Sequence, residues 1–144
     1  MRTILSVSAL IVLFDQATKF LADHFLRPIE QVPIIPNVFH LTYVQNTGIA
    51  FGMFQNYPSV WSIIISLSVV FLFIAARFFR NQPLSRKMAY GFILGGAVGN
   101  WIDRIRLHSV IDFFDFRVWP VFNIADSFIT MGVIMFIWFA LRDR

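Results

Sequence analysis

The sequence contains no cysteine and few charged residues. None of its 144 residues is cysteine, and only 14% are Asp, Glu, Lys or Arg. The absence of cysteine excludes a disulfide framework, a thiolate nucleophile and a cysteine-ligated metal site. In contrast, 58% of the residues are hydrophobic, and the mean hydropathy is +0.69. Because small domains hide a smaller fraction of their surface than large ones, a bilayer is the expected solvent for this much apolar surface.

Other motifs that would assign a chemistry are also missing. His24, His40 and His108 show no metal-ligand spacing, and neither a His-Glu-x-x-His nor a Gly-x-Ser-x-Gly motif occurs. Metalloprotease and serine-hydrolase chemistry are therefore disfavoured, and neither a metal nor a cofactor is expected. The net charge of +4 comes from basic residues that flank apolar runs. They form no basic stripe with interleaved aromatics, so no nucleic-acid partner is expected.

Four apolar segments predict a membrane protein that is mainly α, a four-transmembrane-helix bundle forming one domain over residues 1–144. The segments cover about residues 3–25, 60–76, 88–106 and 123–141. Because basic residues favour the cytoplasmic side, Arg2, the connection between the second and third segments and Arg144 are expected there. Residues 26–59 and 107–122 are then external.

The first external segment predicts a small β-cradle. Pro28, Pro33 and Pro36 disfavour a helix at its start. The stretch 39–45 then alternates in the manner of a half-buried strand, and Asn46-Thr47-Gly48 suits a turn. Residues 46–57 are expected to form a short interfacial helix or flap that opens and closes over the site.

Asp112 and Asp126 are the leading candidates for chemistry. They lie fourteen positions apart, at the edges of apolar segments. A carboxylate near hydrocarbon loses hydration and is retained mainly where it is paired or functional. Two adjacent carboxylates repel each other, so that one keeps its proton while the other acts as base on a water. The alternative is that each is a cap or surface charge. Asp126 fits a cap, since with Asn123 as N-cap it occupies position N3.

Further polar residues lie close to these segments. Asn100, Asp103 and Arg104 share a helix face by spacing, and Arg104 either braces the catalytic loop or snorkels with Asp103 as partner. Asn46 and Asn123 are donors to a substrate backbone, or simply a turn and a cap. Three glycines at four-residue spacing, Gly91, Gly95 and Gly99, predict close helix packing.

Asp15 and Lys19 stand at i and i+4 within the first apolar segment. This spacing allows an intrahelical ion pair that stabilises the bundle. As separate charges they could instead bind a substrate ion. In that case the chain would be a small proton-coupled four-span exporter that uses Asp15.

Five motifs, in order along nearly the whole chain, resemble the lipoprotein signal peptidase family, the signal peptidase II of bacteria. They are Asp15-Gln16-Ala17-Thr18-Lys19, Gln45-Asn46-Thr47-Gly48-Ile49-Ala50-Phe51, Gly95-Gly96-Ala97-Val98-Gly99-Asn100-Trp101-Ile102-Asp103-Arg104, Val110-Ile111-Asp112-Phe113 and Phe122-Asn123-Ile124-Ala125-Asp126-Ser127. The chain departs from the family pattern at His108, where a glycine is usual, and in a short stretch between the two aspartates.

The resemblance implies an aspartic endopeptidase of the bacterial inner membrane, in contact with membrane lipids. We expect the chain to act as a monomer. Its substrate is a prolipoprotein with a diacylglyceryl-modified cysteine, cleaved just before that cysteine, and no cofactor is implied. Asp112 and Asp126 match the catalytic dyad. The residues that match substrate-binding or supporting positions are Asn46, Gly48, Asn100, Arg104, Asn123, Asp15 and Lys19.

Overall fold

The computed structural model describes residues 1–48 and 58–142, which are mostly helical with one small antiparallel sheet. The helices are α1 (Arg2–Leu21), α2 (Pro58–Ala75), α3 (Leu84–Leu107) and α4 (Ile124–Arg142). The strands are β1 (Gln31–Ile35), β2 (Phe39–Asn46) and β3 (Val110–Asp115). A π-helical turn, Ala22–Leu26, extends α1, and a 3-10 turn, Ala76–Phe79, extends α2. Each predicted apolar segment coincides with a helix to within a few residues.

Glycines on α3 allow close helix packing, as their spacing predicts. A Cβ atom added to Gly91 would lie 2.8 Å from a methyl carbon of Val7 on α1. On another face of α3, a Cβ atom at Gly96 would collide with the carbonyl oxygen of Ala125 on α4. Side chains at these positions would push the helices apart, so the prediction of a packing role is confirmed.

The helices run alternately up and down. Going along α3, Gly91 meets Ile4 and Gly99 meets Asp15, so α1 and α3 point the same way. Helix α2 runs opposite to α3, because the Tyr90 hydroxyl donates to the Leu72 carbonyl at 2.7 Å and the Trp101 indole donates to Ser66 at 2.8 Å. Contacts of Gly96 with Ala125 and of Gly132 with Ala89 make α4 antiparallel to α3 as well. The carboxyl ends of α1 and α3 and the amino end of α4 therefore meet at one end of the bundle.

The sheet lies at that end, in the strand order β1-β2-β3. Strand β2, predicted from its alternation, pairs Val44 with Asp112 of β3. Strand β1 was not predicted, because prolines interrupt it. It is an edge strand, and a proline such as Pro33 is tolerated there because one side of the strand needs no ladder hydrogen bond. Buried Phe113 packs the sheet against Leu26 of the π-helical turn.

Large apolar side chains cover the outside of the bundle. Leu10 and Phe14 on α1, Phe71 on α2 and Trp138 on α4 are all exposed. Among the described residues, Arg2–Leu26 and Ile124–Arg142 are long and apolar enough to cross a membrane, while the apolar stretch Ile63–Phe79 is shorter. An apolar exterior of this kind is suited to a lipid environment rather than to water.

Candidate active site

Asp112 lies in β3 and is held by two amide groups. Its Oδ1 accepts a hydrogen bond from Asn123 Nδ2 at 2.7 Å, and its Oδ2 accepts one from Asn46 Nδ2 at 3.1 Å. The side chain is 2% exposed. Burial, and next the negative charge of Asp126, raise the pKa of Asp112 to about 7, although the two amide hydrogen bonds oppose this shift. Asp112 is therefore a carboxyl group that can hold a proton near neutral pH.

Asp126 is positioned by the first turn of α4. Its backbone N–H donates to Asn123 Oδ1 at 2.9 Å, while Asp126 Oδ2 accepts the Asn123 N–H at 3.3 Å. This reciprocal pair is a capping box, and it confirms the predicted N-cap and N3 positions. The other oxygen, Oδ1, accepts from Asn100 Nδ2 of α3 at 2.8 Å. Asp126 therefore lies beside the positive end of the α4 dipole.

Both aspartates line one cavity of about 310 Å³. Asn46, Asn100 and Arg104 also line it. The rest of the lining, to which sequence analysis assigned no role, consists of Val110 and the segment Trp119, Pro120, Val121 and Phe122. Backbone hydrogen bonds in both directions between Phe114 and Phe122, at 2.8 and 3.1 Å, hold that segment against β3. The cavity thus joins two carboxyl groups to an apolar wall.

Lys19 sets the orientation of the Asn100 amide. Its Nζ donates to Asn100 Oδ1 at 2.9 Å, and Asn123 Nδ2 donates to the same oxygen at 3.1 Å. An ammonium group has donors and no acceptor, so the amide oxygen must face Lys19. The amide nitrogen of Asn100 is thereby directed to Asp126, and Lys19 supports the site without lining its cavity.

A buried ionic network lies behind Asn100. Lys19 Nζ is 2.9 Å from Asp15 Oδ2 and 2.9 Å from Asp103 Oδ2, and the three side chains are 2%, 0% and 3% exposed. The predicted pair of Asp15 and Lys19 is confirmed, with Asp103 as a second partner. Gln16, to which sequence analysis assigned no role of its own, donates to Asp103 Oδ1 at 2.9 Å. Asp15 Oδ1 accepts the Ala125 N–H at 2.9 Å, which ties α1 to the start of α4.

Arg104 contacts the turn that follows β2. Its Nη2 donates to the Gly48 carbonyl at 3.0 Å, and the Gly48 N–H donates to Asn46 Oδ1 at 3.1 Å. Among the described residues, Asp103 forms its ion pair with Lys19 rather than with Arg104, and it also accepts the Ile111 N–H at 3.2 Å. Arg104 Nε is buried and has no hydrogen-bond partner among the described residues. The contacts favour the predicted brace.

A family model described as signal peptidase (SPase) II matches residues 7–142. The chain belongs to the signal peptidase II family. A lipoprotein signal peptidase of Caldanaerobacter subterraneus subsp. tengcongensis is 45% identical over 131 residues, which are 90% of this chain and 89% of the relative. Another, of Halothermothrix orenii, is 42% identical over 135 residues, 92% of each chain. A solved bacterial membrane enzyme has a TM-score of 0.84 and 30% identity, covering all of this chain and 96% of the other.

The fold of this signal peptidase II gathers the candidate residues around one cavity, some in its lining and others behind it. Asp112, Asp126, Asn46, Asn100 and Arg104 line the cavity. Asn123 lies behind both aspartates, and Gly48 contacts Arg104 through its carbonyl. Asp15 and Lys19 are buried one layer further back. Residues 49–57, which hold most of the predicted flap, lie outside the described residues.

Proposed function

We propose that this chain removes the signal peptide from diacylglyceryl-modified prolipoproteins, cleaving just before the lipidated cysteine, with Asp112 and Asp126 as the catalytic dyad. Membership of the signal peptidase II family makes the chain a membrane peptidase, and the relatives named above are lipoprotein signal peptidases. The observation that carries the assignment of the dyad is the difference between two carboxyl groups on one cavity. One is buried with a pKa raised to about 7, and the other lies at a helix amino terminus.

In the proposed reaction, Asp126 is ionised and Asp112 is protonated. Asp126 removes a proton from the attacking water as its oxygen bonds to the scissile carbonyl carbon, while Asp112 donates its proton to the carbonyl oxygen. The tetrahedral intermediate then collapses. The C–N bond breaks, the proton on Asp126 moves to the leaving amine, and Asp112 recovers its proton from the intermediate's hydroxyl. Both carboxyl groups thus end in their starting states.

The amide groups and Arg104 have supporting roles. Asn46 and Asn123 fix both oxygens of Asp112, and Asn100 fixes Asp126. Fixed donors near the reacting atoms need no reorganisation during the reaction. Arg104 lines the cavity, and its guanidinium is suited to donate to a main-chain carbonyl of the substrate.

We further propose that all four helices cross the bilayer, with both termini on the cytoplasmic side and the cavity near the external face. The up-and-down order of the helices and the basic residues at the end opposite the sheet support this topology. The substrate would keep its acyl chains in the bilayer and reach the cavity laterally, with residues 46–57 as a flap. The candidate dyad and its amide partners come from one chain, which fits a monomer.

No contact of the described residues supports the alternative that the chain is an exporter. It requires Asp15 to bind and release an ion, but Asp15 is fully buried. One of its oxygens is paired with Lys19 and the other accepts the Ala125 N–H. Asp15 therefore has a structural role in the bundle.

The test is cleavage of a synthetic prolipoprotein by the purified chain in detergent, with and without the diacylglyceryl group. We expect wild type to cleave the lipidated substrate, and Asp112→Asn and Asp126→Asn to be folded but inactive. Ser68→Ala is a suitable control, because the Ser68 hydroxyl donates within α2, to the Ile64 carbonyl, and should leave cleavage unchanged. Equal cleavage with and without the lipid would contradict the substrate assignment, and activity in either aspartate variant would contradict the dyad.

A further inference from the structure

A second groove lies at the end of the bundle opposite the sheet. It has a volume of about 260 Å³ and lies between the 3-10 turn, the start of α3 and the last turns of α4. Its lining residues are Phe79, Gln82, Arg86, Phe136, Phe139 and Ala140. None of them contributes to the proposed dyad or its cavity.

The floor of this groove is aromatic and preformed. Phe79 stacks on Tyr90 with ring centroids 4.3 Å apart and meets Phe136 edge to face at 5.4 Å. These rings pack against buried Ile4 and Leu94 in the same core cluster. Since the core holds the rings in place, an apolar chain could bind in the groove without prior rearrangement.

The rim of the groove is cationic. Arg86 Nη1 donates to Gln82 Oε1 at 2.8 Å, and the Gln82 N–H donates to the Phe79 carbonyl at 3.2 Å. These contacts hold the guanidinium beside the aromatic floor. A guanidinium keeps its charge at any physiological pH and matches the geometry of a phosphate group.

Positive charge predominates around this groove. The basic residues of this end are Arg2, Arg77, Arg80, Arg86, Lys87 and Arg142. Seven of the eight acidic residues lie in the second half of α1 and at the sheet end, and are Asp15, Asp23, Glu30, Asp103, Asp112, Asp115 and Asp126. The eighth, Asp143, directly follows α4 in the sequence, so basic residues still outnumber acidic ones at the groove end. A basic rim over an apolar floor is complementary to a molecule with an anionic head and a hydrocarbon chain.

We propose that this groove binds an anionic phospholipid of the surrounding bilayer. One acyl chain lies against Phe79, Phe136 and Phe139, and the headgroup phosphate lies at Arg86. Anionic lipids are attracted to basic residues beside transmembrane helices. A dissolved phosphate ion would leave the aromatic floor uncovered, and a zwitterionic lipid would match the surplus positive charge less well.

The experiment compares ligand-induced thermal stabilisation of the purified full-length chain in detergent. The three probes are phosphatidylglycerol, phosphatidylcholine and inorganic phosphate. We expect phosphatidylglycerol to raise the Tm at lower concentration than phosphatidylcholine, and inorganic phosphate to have no effect. Arg86→Gln should raise the half-saturating concentration of phosphatidylglycerol roughly fivefold, as expected for one basic residue near an anionic headgroup.

Lys87→Gln is the matched control, because it removes the same charge one residue away but Lys87 does not line the groove. It should bind phosphatidylglycerol like wild type. A second variant, Phe139→Ala, keeps every charge and should weaken binding of long-chain more than of short-chain phosphatidylglycerol. Equal effects of Arg86→Gln and Lys87→Gln, equal stabilisation by both lipids, stabilisation by phosphate alone, or an unchanged Phe139→Ala variant would each overturn the proposal.

Discussion

Two clusters of carboxylates lie on either side of Asn100, and they differ in what surrounds them. Asp15 and Asp103 share one ammonium group, with Lys19 Nζ 2.9 Å from each. Asp112 and Asp126 are held mainly by the side-chain amides of asparagines and line an open cavity. One cluster is neutralised by a cation in contact, and the other is not.

This difference suits the Asp15 and Asp103 cluster to a structural role and the Asp112 and Asp126 cluster to a chemical one. A carboxylate that contacts a buried cation is part of an ion pair, and its removal would leave that cation with one partner fewer. A carboxylate that contacts only amides is positioned without being neutralised, so its proton affinity stays adjustable. Asp112, whose pKa is raised to about 7, belongs to the second kind. The comparison predicts that equivalent substitutions in the two clusters have opposite consequences.

The largest effect is expected from Asp112→Asn, which should lower the rate of prolipoprotein cleavage at least about a thousandfold. The protein should remain folded, because the amide is neutral and nearly isosteric with the protonated carboxyl. Asp15→Asn should instead lower the thermal stability, with a smaller loss of activity, since it removes one of the two carboxylates that contact Lys19. Rate assays and Tm measurements on both variants test the contrast, which fails if Asp112→Asn is the less stable of the two.

Lys19→Met should lower the free energy of unfolding by about 3–5 kcal/mol, since it leaves two buried carboxylates without a cation. The control is Arg27→Met. Arg27 pairs with Asp23 at 3.4 Å, but its side chain is 60% exposed. Solvent screens such a pair, so the loss should stay below about 1 kcal/mol. Unfolding of both variants in mixed detergent would measure the difference, and similar losses would contradict the structural role of the buried network.

Cleavage activity should fall as the pH rises through about 7, because the proposed mechanism needs Asp112 protonated. The decline should approach about tenfold per pH unit once a single ionisation controls it. Stability should change in the same direction. A carboxyl whose pKa is raised from 3.8 to about 7 on folding contributes stability below its ordinary pKa and loses it as the pH rises to about 7.

The matched control for this pH dependence is the unfolding of Asp112→Asn between about pH 3 and 8, a range that brackets the two values. The variant has no carboxyl at this position and should lack the wild-type decrease in stability over that range. An activity that keeps rising well above pH 7 would show that Asp112 is not the proton donor.

The smallest effect concerns His108, which joins α3 to the strand that carries Asp112. Its φ is 57°, in the left-handed region, and its N–H donates to the Arg104 carbonyl at 3.1 Å as α3 ends. A glycine adopts this conformation without strain, so His108→Gly should raise the unfolding free energy by about 1 kcal/mol. Leu107→Gly, one residue earlier and still helical, should lower it by about 1 kcal/mol. Destabilisation by His108→Gly would contradict this explanation.

Local patterns predicted the parts of the site that lie within a few residues of each other. Asn123 and Asp126 form the cap that their spacing indicates, and Asp15 and Lys19 form the i, i+4 pair. The ion pair between Asp103 and Lys19 could not be predicted in this way. Helical spacing shows that Asp103 and Arg104 lie close together. It does not show which neighbouring element each side chain contacts. No sequence pattern indicated that the segment with Trp119 lines the cavity. Backbone hydrogen bonds between Phe114 and Phe122 hold it there, and such bonds leave no mark in the sequence.

The sequence by itself determined that the chain suits a membrane environment, where its helices lie, which motifs it carries and which family it resembles. Hydrophobicity, capping and residue order are properties of short segments, so they can be read without the fold. The tertiary structure decided which carboxylates pair with a cation and which accept hydrogen bonds from asparagine amides. Asp15, Asp103, Asp112 and Asp126 are alike as residues in an apolar chain. They differ because α3 packs against α1 on one side and against α4 on the other. That packing places Lys19 against the first two and asparagine amides against the others.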